Sequence, residues 1–93
     1  MKEIFYRVIK EDSVTLISDK FNLPSITIIE DNHLKKEVEE GDILVLRKED
    51  RQVYKVGVKE TIETVCKKFN IEKEEFIKLN KIDYVFYGLL VYV

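Results

Sequence analysis

Residues Tyr6–Leu23 read YRVIKEDSVTLISDKFNL, and Tyr54–Ile71 read YKVGVKETIETVCKKFNI. A constant offset of 48 pairs Tyr6 with Tyr54, Val8 with Val56, Ser13 with Thr61, Val14 with Ile62, Ile17 with Val65, Phe21 with Phe69 and Asn22 with Asn70. The offset continues to Ile29 and Ile77, and to Asn32 and Asn80. It then slips by one, so that Val38, Gly41 and Leu44 answer Val85, Gly88 and Val91. Self-similarity at such a period marks a duplicated small module. Fold and function are therefore both read from one unit seen twice.

The 93 residues divide into units of about 45, near the lower size at which a chain buries enough surface to fold alone. An apolar fraction of 45% is that of a globular protein. The net charge of −2 is uneven: Met1–Leu46 carries six Lys/Arg against ten Asp/Glu, and Arg47–Val93 carries ten against eight. Neither half has the dense basic stripe that binding to a phosphate backbone needs, so nucleic acid is not an expected partner. The single cysteine, Cys66, rules out an internal disulfide and a cysteine-based metal site. The N-terminus lacks the apolar run of a signal peptide, and no stretch reaches transmembrane length. No membrane partner is expected. As written the chain reads as cytoplasmic, or as associated with a cell wall, a spore or a phage particle.

Within the unit, Ile4–Ile9 is rich in β-branched and aromatic residues and reads as a strand. Ser13 has the chemistry of a helix N-cap, and Val14, Ile17, Ser18 and Phe21 follow at the spacing of one buried helix face. Asn22 stands where a left-handed residue ends a helix. Pro24 then precedes a second helix over Ser25–Asp31 that buries Ile28 and Ile29. A polar loop, the anchor Val38, a turn at Gly41 and a strand Ile43–Leu46 complete the unit. The second copy predicts strand Val53–Val58, N-cap Thr61, helices Ile62–Phe69 and Lys73–Leu79, anchor Val85 and strand Leu89–Val93. The fold class is α+β: two tandem βααβ modules, each a two-stranded antiparallel sheet with two helices on one face. The expected boundaries are 1–47 for the first module, 48–52 for a short charged linker and 53–93 for the second. A connection of this length permits two separate modules, the favoured reading, or a hairpin that joins the strands in one sheet.

This ordered set resembles the lysin motif (LysM) family twice over. The resemblance rests on Tyr6-Arg7-Val8 and Tyr54-Lys55-Val56, then on Asp12-Ser13-Val14 and Glu60-Thr61-Ile62. It continues through Phe21-Asn22-Leu23 and Phe69-Asn70-Ile71, the helix-closing Asn32 and Asn80, and an aliphatic residue three before Gly41 and Gly88. Where the family usually has Gly before the acidic residue, this chain has Glu11 and Lys59; where Pro often follows the second helix, it has His33 and Lys81.

The resemblance implies non-catalytic binding of glycans that contain N-acetylglucosamine, of peptidoglycan or chitin type, in a shallow groove on each module. Carried over by position, one groove has Glu11, Asp12, Ser13 and Val14 facing Asn32, His33 and Leu34. The other has Lys59, Glu60, Thr61 and Ile62 facing Asn80, Lys81 and Ile82. Main-chain groups would bond the N-acetyl group while an aliphatic side chain meets its methyl. The competing account of Asp12, Ser13, Glu60 and Thr61 is that they only start helices. A second functional reading is an assembly module of the phage-tail or spore-coat kind that has lost glycan binding; a third is the targeting part of a wall hydrolase. Tyr84, Phe86, Tyr87 and Tyr92 crowd the C-terminal end, and Phe86 and Tyr87 beside the Gly88 turn should be exposed, suited to sugar stacking, to a protein partner or to self-association; the competing account is packing of the second module against the first. Cys66, paired with Ser18, reads as a small buried residue, and His33 as a solvated loop residue. No metal, cofactor or catalytic constellation is expected: nothing assembles a nucleophile, a base and an oxyanion site.

Overall fold

A computed structural model describes residues 2–93; Met1, where the expected first module begins, lies outside the described residues. The chain forms two compact units that divide between Asp50 and Arg51. The first contains β1 (Lys2–Arg7), α1 (Val14–Phe21), α2 (Ser25–Asp31) and β2 (Ile43–Lys48). The second contains β3 (Val53–Lys55), α3 (Ile62–Phe69), α4 (Lys73–Asn80) and β4 (Leu90–Tyr92). β1 pairs antiparallel with β2, and β3 with β4, in two separate two-stranded sheets. β2 and β3 are not joined in one sheet.

The helices lie where caps and periodicity place them; the strands differ. β1 starts at Lys2 and ends at Arg7, and β2 extends to Lys48, which pairs with Lys2 and so belongs to the sheet rather than to a linker. β3 stops at Lys55, one residue before Val56. There Val56 donates to the Leu89 carbonyl and accepts from Gly88, each at 2.8 Å. Val8 makes the same exchange with Asp42 and Gly41, again at 2.8 Å. Gly41 and Gly88 have φ of 95° and 86°, a region that a Cβ disfavours. The Tyr-x-Val and Gly pieces of the repeat are thus two halves of one main-chain clasp.

Each unit buries its own small core. Val8, Val14, Ile17, Leu23, Ile28, Val38, Leu44 and Leu46 form the first, and Val56, Ile62, Val65, Cys66, Phe76 and Val91 the second. The two cores fill similar space with different residues: the larger Phe76 replaces Ile28 while the smaller Val91 replaces Leu44. Volume conserved in this way is what a close-packed interior tolerates. Tyr6 packs edge-on against Phe21, with ring centroids 5.2 Å apart, and Tyr54 against Phe69 at 4.8 Å. Both first helices end on a left-handed asparagine, Asn22 at φ 54° and Asn70 at φ 55°. The next residue, Leu23 or Ile71, donates back to the carbonyl of Ser18 or Cys66, at 3.0 and 2.9 Å.

A two-stranded sheet leaves main-chain groups unpaired at its edges, and asparagine side chains satisfy some of them. Asn80 donates to the Phe76 carbonyl at 3.2 Å and the Tyr92 carbonyl at 2.9 Å, and accepts from the Tyr92 N–H at 2.7 Å. Asn32 does the same with Ile28 and Val45, at 2.9, 2.9 and 2.7 Å. Each side chain ties the end of a second helix to its last strand. Asn80 is fully buried, so Asn80→Ala strands two main-chain groups of Tyr92 without partners. We expect a loss on the order of 3 kcal/mol, and less for the part-exposed Asn32→Ala, measured by denaturant unfolding followed by circular dichroism. An unchanged midpoint for Asn80→Ala would show that these bonds contribute nothing.

Candidate functional site

The loop between the first strand and first helix of each unit is built around a carboxylate. Asp12 accepts from the Tyr6 hydroxyl at 2.5 Å and from the Ile9 N–H at 3.0 Å, while Lys20 donates to the Tyr6 hydroxyl at 3.0 Å. Glu60 accepts from the Tyr54 hydroxyl and from the Gly57 N–H, and Lys68 lies 3.1 Å from its other oxygen and donates to the Tyr54 hydroxyl at 2.8 Å. The Tyr6 hydroxyl, then the Ile9 N–H, holds the Asp12 carboxyl below the usual carboxylate range. The Tyr54 hydroxyl and the Gly57 N–H do the same for Glu60, with Lys68 adding to them. Glutamate is one methylene longer than aspartate, and the chain makes room for it. A Cβ on Gly57 would stand 3.0 Å from the Glu60 carboxylate, whereas Ile9 occupies that place opposite the shorter Asp12.

Other expected groove residues also have their polar atoms engaged within the fold. Ser13 accepts from the Leu16 N–H at 3.1 Å. Thr61 accepts from the Thr64 N–H at 3.2 Å, while the Thr64 hydroxyl accepts from the Thr61 N–H at 2.9 Å in a reciprocal cap. Asn32 and Asn80 are the helix-to-strand ties described above. Glu11 and Lys59 are exposed, at φ 73° and 61°, where a side chain is strained and Gly is not. His33 and Lys81 have φ of 52° and 58°, which proline, locked near −65°, does not reach. The backbone at these two positions thus excludes Pro in this chain.

What the first unit brings together is smaller than the expected wall. An open hollow of about 400 Å³ is lined by Val14, Thr15, Ile29, Leu34, Lys35 and Glu37, among others. Val14 and Leu34 thus share one hollow. His33 turns to a different hollow of about 250 Å³, beside Asp31, Val45 and Arg47. Sequence reasoning missed Glu37, whose carboxylate accepts from the Val14 N–H at 2.8 Å and from the Val38 N–H at 3.0 Å. The signal for it was faint: an acidic residue just before the anchoring valine, able to reach a helix N-terminus only if the two loops meet.

In the second unit Ile62 is buried, Ile82 half-buried and Lys81 exposed. Tyr84, Phe86 and Tyr87 are 59%, 53% and 71% exposed, and the rings of Tyr84 and Phe86 stack with centroids 6.2 Å apart. Tyr92 is buried and does not share their exposure. Cys66 is buried, and burial, followed by the charge of Glu63, pushes its thiol above its ordinary pKa, the opposite of what a nucleophile needs. His33 is exposed. Among the described residues no group of His, Cys, Asp or Glu is placed to hold a metal ion, and no helix is long and apolar enough to cross a membrane.

Two predictions follow from the carboxylate loops. A carboxyl whose folded pKa lies below its unfolded one stabilises the fold above the ordinary range near about pH 4, and that contribution fades as pH falls through the lowered value. Tyr54→Phe removes the largest cause of the shift at Glu60, so acid unfolding should begin at a higher pH; coincident acid transitions would refute the role given to the hydroxyl. Gly57→Ile should cost about 1 kcal/mol by crowding Glu60. The double variant Gly57→Ile with Glu60→Asp should recover most of it, and a fully additive loss in thermal unfolding would argue against the steric pairing.

No curated protein matches the chain. Among the solved structures that align with it are two of the spore cortex-lytic enzyme SleL. The Bacillus megaterium QM B1551 structure aligns at 21% identity and a TM-score of 0.48, over 96% of this chain and 22% of that one. The Bacillus cereus structure aligns at 19% identity and a TM-score of 0.49, over 100% and 23%. The chain thus spans less than a quarter of the length of either enzyme. The family model of the LysM domain, a non-catalytic module that in general binds peptidoglycan or chitin-type glycans, matches residues 6–46 and 54–84. These two segments cover most of the chain and contain both carboxylate loops, both asparagine helix ends, the Asn32–Val45 tie and Asn80 of the second tie. The chain belongs to the LysM domain family.

Proposed function

We propose that the two units are tandem LysM modules and that the chain is a non-catalytic receptor for glycans containing N-acetylglucosamine, of peptidoglycan or chitin type. The observation that carries this reading is the hollow between the two loops of the first unit, where aliphatic Ile29 and Leu34 lie beside the first amide of α1. An acetamido group carries a carbonyl that needs a donor and a methyl that needs an apolar neighbour; Ile29 and Leu34 supply the second, and the Val14 N–H, which Glu37 holds at 2.8 Å, supplies the first once the carboxylate gives way. The ligand-facing groups are taken to be Val14, Leu34 and the main chain at Glu11 and His33 in one module. In the other they are Ile62, Ile82 and the main chain at Lys59 and Lys81. The carboxylates of Asp12 and Glu60, the hydroxyls of Ser13 and Thr61 and the amides of Asn32 and Asn80 shape the loops and do not reach the sugar. Binding by one open hollow is weak, and two tethered modules gain through effective concentration on a polymeric glycan.

A second reading, self-association or docking of a protein through Phe86 and Tyr87, is favoured by the exposure of three aromatic rings within four residues. Titration calorimetry with N-acetylglucosamine oligomers, together with co-sedimentation on purified peptidoglycan and chitin, separates the two. We expect affinity to rise with oligomer length and retention on at least one polymer. Flat titrations with no retention, alongside concentration-dependent dimerisation that Phe86→Ser and Tyr87→Ser abolish, would replace the glycan reading with the second.

A further inference from the structure

We propose that the two modules are unequal receptors: Glu37 occupies the first module's hollow as an internal ligand, and glycan binding falls mainly to the second. The inference rests on the glycan reading above and adds to it which module binds and what holds the other back.

The Val14 N–H is the first amide of α1, one of the donors that a helix leaves without an internal partner. Val14 lines the hollow together with Ile29, Leu34 and Glu37, and an acetamido carbonyl entering there would seek such a donor. Glu37 already takes it at 2.8 Å, and the same oxygen accepts from Val38 at 3.0 Å, which fixes the carboxylate in place from both sides. A carboxylate is a stronger acceptor than an amide carbonyl, and this one is tethered within the same unit. A sugar must exchange charge-assisted bonds for neutral ones, which lowers its affinity for the first module by about tenfold. Glu37 remains exposed as a residue, so the carboxylate is displaceable rather than walled in.

The second module has no counterpart. Its loop is one residue shorter, and the residue before Val85 is Tyr84, which carries no carboxylate and stacks on Phe86 instead. Among the described residues the Ile62 N–H has no side-chain acceptor, so the donor that Val14 has lost stays open. The difference lies in one loop, on a scaffold that the two modules otherwise share.

Amide-resolved NMR titration of the full chain with the β-1,4-linked N-acetylglucosamine tetramer tests the assignment. In the native chain, shifts should appear at Ile62 and across 80–85 at oligomer concentrations that leave Val14, Leu34 and Val38 unmoved. Glu37→Ala should bring those three amides into the response, with the first module's Kd lowered about tenfold, and Glu37→Gln, a neutral acceptor of the same shape, should fall between. Equal responses from both modules in the native chain overturn the inference and leave glycan binding standing. So does a first module that stays silent in both variants while their spectra remain dispersed. No shifts anywhere, in the native chain or the variants, overturn the glycan reading and this inference with it.

Discussion

Each unit depends on a carboxylate that folds back on its own loop. Asp12 and Glu60 each take a tyrosine hydroxyl from the first strand and a main-chain N–H from the turn, and each has a lysine of the first helix beside the tyrosine. One group thereby relates strand, turn and helix in a unit whose core holds fewer than ten buried side chains. Small cores supply little stability to spare, and a hub of this kind sets the angle at which the helix leaves the strand. It also lies beside the turn at Glu11 or Lys59, where φ is positive. The asparagine ties secure the other end of the unit, so both loops that border the hollow are anchored by side chains that do not line it.

Two copies in one chain allow substitutions to be read against each other without any other protein. Where the acid lengthens from Asp12 to Glu60, the residue facing it shrinks from Ile9 to Gly57. Where helix two gains volume, from Ile28 to Phe76, the facing strand gives it up, from Leu44 to Val91. Both pairs keep a contact while changing the residues that make it. The loop before the anchoring valine behaves differently. Glu37 and Tyr84 share no contact, and the lengths of their loops differ, so that is where the modules diverge in what they present to a ligand.

Much of the fold was legible as pattern. The caps Ser13 and Thr61, the left-handed Asn22 and Asn70, and the periodic faces ending at Phe21 and Phe69 each follow from residues within a few positions of one another. The strand ends were less legible, because Lys48 joins β2 through pairing with Lys2, and beyond Lys55 the main chain of Val56 bonds to Gly88 and Leu89 at the turn before β4. The candidate site was legible in part. Val14 and Leu34, expected on opposite walls, line one hollow, whereas the polar atoms of Asp12, Ser13, Asn32, Glu60, Thr61 and Asn80 bond within the fold.

Local order in the chain is enough to define a helix, its caps and a repeated unit, since those bonds close within about four residues. It is enough, too, for membership of the LysM family. Which acceptor satisfies a given donor is a different kind of question. Val14 and Glu37 stand 23 positions apart, and their hydrogen bond exists only once two loops have been brought together by the core. A carboxylate in the sequence carries no mark of whether it will face solvent, a tyrosine or a helix amide. The packed structure decides that, because it alone sets which groups lie within bonding distance.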